Sequence, residues 1–179
     1  AKTYAEEKAM ELLFGEDEYE PQLQTLDIKR GNERESGACA DLAMRLDTDL
    51  FYTGENQQFI PWGKDAGATP DGRIGSIDGV TFDVKSPKRA NHLSNVLTVS
   101  GNESLLKASA CYYWQQQSQI ASAQQDYGYW VSYNPVAHNP RARLHIVRID
   151  RNQADIDRMA QRVAMAAEYR DQIIDRIRS

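Results

Sequence analysis

The sequence predicts an α+β fold, a central mixed β-sheet flanked by helices in an α/β/α-like arrangement. Three observations carry this. Both ends of the chain show helical periodicity, the middle holds alternating runs of aromatic and β-branched residues, and a long stretch free of Gly and Pro lies between those runs. The 179 residues, 41% hydrophobic and 26% charged, suit one compact domain with a sizeable core, so residues 1–179 are read as a single domain. No stretch approaches the ~18 apolar residues of a membrane span. The opening "AKTYAEEKAMELLFG" lacks the layout of a signal peptide, so the expected location is the cytoplasm, with no membrane partner.

Taken in order, residues 2–14 read as a short helix ending at Gly15. Residues 32–46 read as a second helix, with Ala38, Leu42 and Met44 offering an apolar face. "QFIPW" and "GVTFDVK" read as strands. Residues 103–125 contain no Gly or Pro, place Leu105, Leu106, Ala110, Tyr113, Trp114 and Ile120 at helical intervals, and predict one long helix. "YGYWVSY" and "RLHIVRI" alternate and are separated by a Pro-containing loop, which predicts two more strands. Residues 155–177 close the chain as an Arg-rich amphipathic helix. Cys39 and Cys111 have no CxxC spacing and read as two reduced core thiols. His92, His138 and His145 lack metal-ligand spacing and read as surface or strand residues, and Trp62, Trp114 and Trp130 read as core.

The stretch "GATPDGRIGSIDGVTFDVKSP", residues 67–87, carries the chemistry. Strand side chains alternate between faces, so Asp83 and Lys85 point the same way while Val84 enters the opposite, apolar layer. Asp71 sits in a Pro-Asp-Gly turn. The hairpin through Asp78-Gly79 brings it alongside Asp83 if the two segments pair antiparallel. Converging carboxylates repel unless a cation neutralises them, and all-oxygen ligands suit Mg²⁺ or Mn²⁺. Such an ion polarises a phosphoryl oxygen and lowers the pKa of a bound water, while a neighbouring Lys steadies the developing charge. Either motif alone also fits an ordinary reading, a turn residue or a same-face ion pair. Their coupling through a short Gly-rich hairpin, with an apolar run before Asp83, favours use over accident.

The PD at 70–71 followed by DVK at 83–85 resembles the PD-(D/E)xK nuclease signature. Further blocks in the same order resemble the lambda exonuclease and YqaJ-type viral recombinase family. "RGNERESGACADL" matches the segment in which a Gly is followed four residues later by a helical Glu, here Glu35; "YYWQQQSQIA" matches the helix with a Q-x-Q pair, here Gln115 and Gln117; and "YGYWVSYNP" matches the aromatic strand ending in Pro. The matches span roughly residues 25–150. The resemblance implies a restriction-endonuclease-like core and a Mg²⁺-dependent deoxyribonuclease holding two ions, with Mn²⁺ as a substitute. It implies that Asp71, Asp83 and Glu35 hold the metals, with Val84 counted among the metal-holding positions. Lys85 assists the attacking water, and Gln117 sits beside Lys85. Glu33 is an alternative to Glu35, but two residues apart on a helix only one of them faces the site.

The activity so implied is 5′-to-3′ exonucleolytic digestion of linear duplex DNA in phage-type recombination, in a bacterial or phage-infected cell. Duplex ends are the expected partner, with a single-strand annealing protein and a ring-shaped homotrimer as further family features. A structure-selective or site-specific endonuclease on the same core, or an inactive DNA-end binding module, are the alternatives. Two departures stand out. Asp83 occupies a position where lambda-like members usually carry Glu, and the region ahead of Glu35 shows no counterpart of the family's N-terminal Arg and Ser residues that bind the 5′-phosphate. Thr69 and Gln115 are the expected phosphate and DNA contacts near the site. The net charge of −5 argues mildly against a nucleic-acid partner, yet acidic residues crowd positions 6–20 while Lys85, Lys88, Arg89, Arg141 and Arg143 lie in locally basic stretches fit to line a DNA path.

Overall fold

The computed structural model describes the backbone of residues 2–14 and 26–178, with side chains at 3–14 and 33–178. Gly15 and the acidic stretch after it lie outside the described residues. Five strands form one mixed sheet in the order β1 (Leu50–Phe51), β4 (Gly72–Ile74), β5 (Val80–Lys85), β6 (Tyr127–Tyr133), β7 (Leu144–Asp150). β5 and β6 run parallel and every other pair is antiparallel. A separate two-stranded ribbon pairs β2 (Ile60–Trp62) with β3 (Ala66–Ala68).

Alternation along the central strands divides the core into two layers. Phe82, Val131, Tyr133 and Leu144 pack on Ala38 and Leu42 of α2 (Leu26–Leu46). On the other face Trp130, Val147 and Ile149 pack on Val99 and on Leu105, Tyr113 and Ile120 of the helices that connect β5 to β6. Parallel strands require such a crossover. Here it is α3 (Arg89–Thr98), α4 (Asn102–Ala108) and α5 (Ala110–Ser122). The short α6 (Pro140–Arg143) lies between β6 and β7, and α7 (Gln153–Arg178) follows β7. α1 (Lys2–Phe14) buries Ala5 and Ala9, one turn apart, and packs along α7. Arg170 of α7 meets Asp65 at the tip of the β2–β3 ribbon at 2.8 Å.

Several expectations need correction. The long helix expected over residues 103–125 is two helices. At Ser109 the backbone turns extended (φ −157°, ψ 97°), ending α4 and opening α5 on a new axis. Periodicity does not see this break because neither helix contains Gly or Pro to mark it. α3 has no counterpart in the sequence reading, and neither do β1 and β3, which at two and three residues are below the length at which alternation is readable; β4 is the partner segment of the expected hairpin. Met44 is 78% exposed and takes no part in the α2 face formed by Ala38 and Leu42. Cys39 is half-buried but Cys111 is exposed, so only one of the two thiols approaches a core position, and both are free. His92 is buried within α3, where its ring bridges Ser132 Oγ (2.9 Å) and the Ala142 carbonyl (2.7 Å), rather than lying on the surface. Trp130 is core, whereas Trp114 is only partly buried against that cluster. No helix among the described residues is long and apolar enough to cross a membrane.

Candidate active site

β5 occupies the middle of the sheet and sends Phe82 and Val84 toward α2 and Asp83 and Lys85 toward α5. The same-face placement read from the sequence puts the Lys85 ammonium 2.6 Å from Asp83 Oδ2. That oxygen is buried and has no aligned hydrogen bond, so the ammonium's charge is its main compensation. The other oxygen, Asp83 Oδ1, accepts from two amides of α5, Gln115 Nε2 at 2.9 Å and Gln119 Nε2 at 3.0 Å. Residues 115 and 119 lie one turn apart on a helix and face the same way, so α5 offers a two-pronged clamp for one carboxylate. Asp83 is only 1% exposed, and a buried carboxylate without such partners would be strongly destabilising.

Asp71 arrives from the neighbouring strand, as the antiparallel hairpin predicts. Its N–H donates to the Phe82 carbonyl (3.0 Å) and its Oδ2 accepts the Val84 N–H (2.6 Å). Val84 therefore contributes to the site through its main chain while its side chain belongs to the α2 layer. Gly72 permits this close strand crossing, because a Cβ there would stand 2.7 Å from the Phe82 ring. Glu35, half-buried on α2, completes the acidic set, whereas Glu33 is exposed. The amide of Gln57, just after a 3₁₀ turn at Gly54–Asn56, donates to Glu35 Oε1 at 2.7 Å and to Asp71 Oδ1 at 3.4 Å.

The electrostatics follow from this crowding. Burial and the neighbouring charge of Asp83 push the Asp71 carboxyl up to about 7, against the opposing help of the Val84 N–H and Lys85. Burial alone would lower Lys85, but Asp83 and Asp71 more than reverse it and the ammonium is raised above its ordinary value. Lys85 is thus held in its charged form beside Asp83 in the metal-free fold. Its Nζ also lies 5.3 Å from the centroid of the Tyr112 ring. Tyr112 forms one end of a polar groove of about 1000 Å³ between α3 and α4, lined also by Asn91, Asn95, Thr98 and Lys107.

Gln117 is not beside Lys85. It is fully buried with its Nε2 on the Asp150 carbonyl (2.9 Å) and its Oε1 accepting the Asn152 N–H (2.9 Å), stapling α5 to the end of β7. Residues 115 and 117 project in nearly opposite directions from a helix, so both cannot reach Asp83. Gln115, expected among the DNA contacts, donates to Asp83. Thr69 is exposed two residues before Asp71. Lys88 and Arg89 are exposed where α3 begins, just beyond Lys85. Arg141 is exposed on α6 while Arg143 pairs with Asp41 at 3.5 Å, and α6 follows the end of β6 that lies beside Lys85. Gln119 and Gln57 were missed. The Gln115–Gln119 pair was visible at one-turn spacing but reads equally as the wet face of a helix. Gln57 sits in the loop sequence "GENQQF", which carries no signal.

No family model matches the chain, and no curated protein matches it. Solved structures do. An alkaline exonuclease, LHK-Exo, from Laribacter hongkongensis superposes with a TM-score of 0.77 at 22% identity, over 99% of this chain and 82% of that one. The structure of LHK-Exo in complex with dAMP gives 0.76 at 22% identity, over 98% and 82%. A phage-related exonuclease from Haemophilus somnus 129PT gives 0.73 at 20% identity, over 99% and 83%. The chain has the exonuclease fold. This likeness covers the α+β architecture and its central mixed sheet, and it agrees with the resemblance to lambda-type exonucleases carried by the sequence blocks. Among the described residues of this exonuclease-like fold, no three acid, His or Cys side chains close into a preformed metal cage.

Proposed function

We propose that the chain is a Mg²⁺-dependent deoxyribonuclease that hydrolyses phosphodiester bonds of linear duplex DNA from its ends, a 5′-to-3′ exonuclease of phage-type recombination. The observation that supports it most is the meeting of Asp71, Asp83 and Lys85 on the β4–β5 pair, within a fold shared with exonucleases. The donor set fits a hard divalent ion. It is all oxygen, Asp83 Oδ2 lacks an aligned hydrogen bond, and Mg²⁺ commonly takes only one or two protein carboxylates and keeps its waters, so an open set of acids suffices. Asp71, Asp83, Glu35 and the main chain at Val84 are the residues that would hold the metal, in one or two ions, with Mn²⁺ as a substitute. When bound, it would supply Lewis acidity to the phosphoryl oxygen and a water of lowered pKa.

The chain's own residues do the remainder. Lys85 places a fixed positive charge where negative charge grows on the phosphate. Gln115 and Gln119 hold Asp83 in one orientation, and the Val84 N–H holds Asp71. Thr69, Lys88, Arg89, Arg141 and Arg143 are the proposed contacts for the DNA backbone. A ring trimer, an annealing partner and a cytoplasmic location complete the reading by resemblance.

The test is digestion of linear duplex labelled at each end, with and without a 5′-phosphate, in Mg²⁺. The parent should shorten the duplex from the 5′ end, and Asp71→Asn and Lys85→Met should each lower the rate by a factor of about 10² or more. Cutting of a covalently closed circle would favour an endonuclease. An inactive parent, or variants as active as the parent, would sink the assignment.

A further inference from the structure

Two acidic side chains, Glu35 from α2 and Asp71 from the start of β4, are bridged by one neutral group. The Gln57 amide sends one N–H to Glu35 Oε1 (2.7 Å) and the other to Asp71 Oδ1 (3.4 Å). An amide nitrogen has protons to give and no lone pair to offer, so it matches the carboxylates as a small cation would, without cancelling their charge. Gln57 closes a single 3₁₀ turn, with backbone angles of −54° and 139° and one main-chain bond to Gly54. That turn buries no residue.

We propose that Gln57 is a gate on the cation position, holding Glu35 and Asp71 together when the site is empty and turning away when a divalent ion arrives. The inference rests on the metal-dependent reading above and adds a residue to it. An ion attracted to Glu35 and Asp71 meets the protons of Nε2 and must displace them, so the bond that steadies the metal-free protein opposes loading. Removing the amide should therefore help the metal and harm the empty fold. A permanent ammonium in its place should do the reverse.

Isothermal titration of the full chain with Mn²⁺, together with metal-free melting, tests this on Gln57→Ala and Gln57→Lys. Gln57→Ala should melt lower without metal and bind Mn²⁺ about tenfold more tightly, the worth of one hydrogen bond to a charged group. Gln57→Lys should melt higher without metal and bind Mn²⁺ at least about tenfold more weakly. The gate is overturned if Gln57→Ala binds no more tightly than the parent, or if Gln57→Lys binds no more weakly. If the parent itself takes up no Mn²⁺, the metal-dependent reading falls and the gate with it. If the parent binds Mn²⁺ and digests DNA while the variants bind alike, only the gate falls.

Discussion

Asp71 couples its protonation state to the stability of the fold. Its carboxyl titrates near 3.8 in an unfolded chain and is pushed up to about 7 in the metal-free fold, first by burial and then by Asp83. A raised carboxyl favours the folded state while it is protonated. The contribution is therefore fully present below the unfolded value, declines as pH rises, and is lost above about 7. Metal-free urea midpoints should fall between pH 5 and pH 8 in the parent, and Asp71→Asn should flatten that slope. The same proton competes with a divalent ion, so Mn²⁺ uptake should release protons and weaken below pH 7. The two cysteines differ in a related way. Burial, then Glu35 and Asp71, push the Cys39 thiol up to about 12, while Cys111 is exposed. Iodoacetamide at pH 8 should modify Cys111 rapidly and leave Cys39 intact in the folded protein, as peptide mass mapping would show.

Among the elements, α5 does two jobs from two faces. One face clamps Asp83 through Gln115 and Gln119, and the other fixes β7 through Gln117. Gln119→Leu keeps the volume but removes a donor from a buried carboxylate, and should lower stability by about 2 kcal/mol in urea unfolding. Adding Gln115→Leu should cost more than the sum of the single changes, because each amide partly covers for the loss of the other on a shared oxygen. This helix also shows where legibility ends. The polar composition of "QQQSQ" was plain, but which glutamine faces which neighbour depends on the phase at which α5 begins, and that phase is set by the break at Ser109, an unmarked position. The strands were easier. β5, β6 and β7 were readable because alternation over six or seven residues leaves one register for the apolar face.

At the scale of the molecule, the sheet order explains why three separated stretches of sequence make one site. Asp71 and Asp83 share the β4–β5 pair, Glu35 comes from the layer on one face, and the amides come from the layer on the other. The pairing of Asp71 with β5 is legible from the Pro-Asp-Gly turn and the hairpin after it. Gln57 was not, because its partners are distant in sequence and its loop has no pattern. A bound ion should stabilise the whole fold by about 2.7 kcal/mol at a concentration one hundred times its dissociation constant, so melts in Mn²⁺ should rise in the parent and far less in Asp71→Asn. The crossover from β5 to β6 has a consequence for synthesis. Asp83 and Lys85 leave the ribosome some thirty residues ahead of the amides that secure them. Until α5 docks, the emerging chain carries a carboxylate half-dressed for burial, so docking of the crossover is the step that completes the surroundings of Asp83.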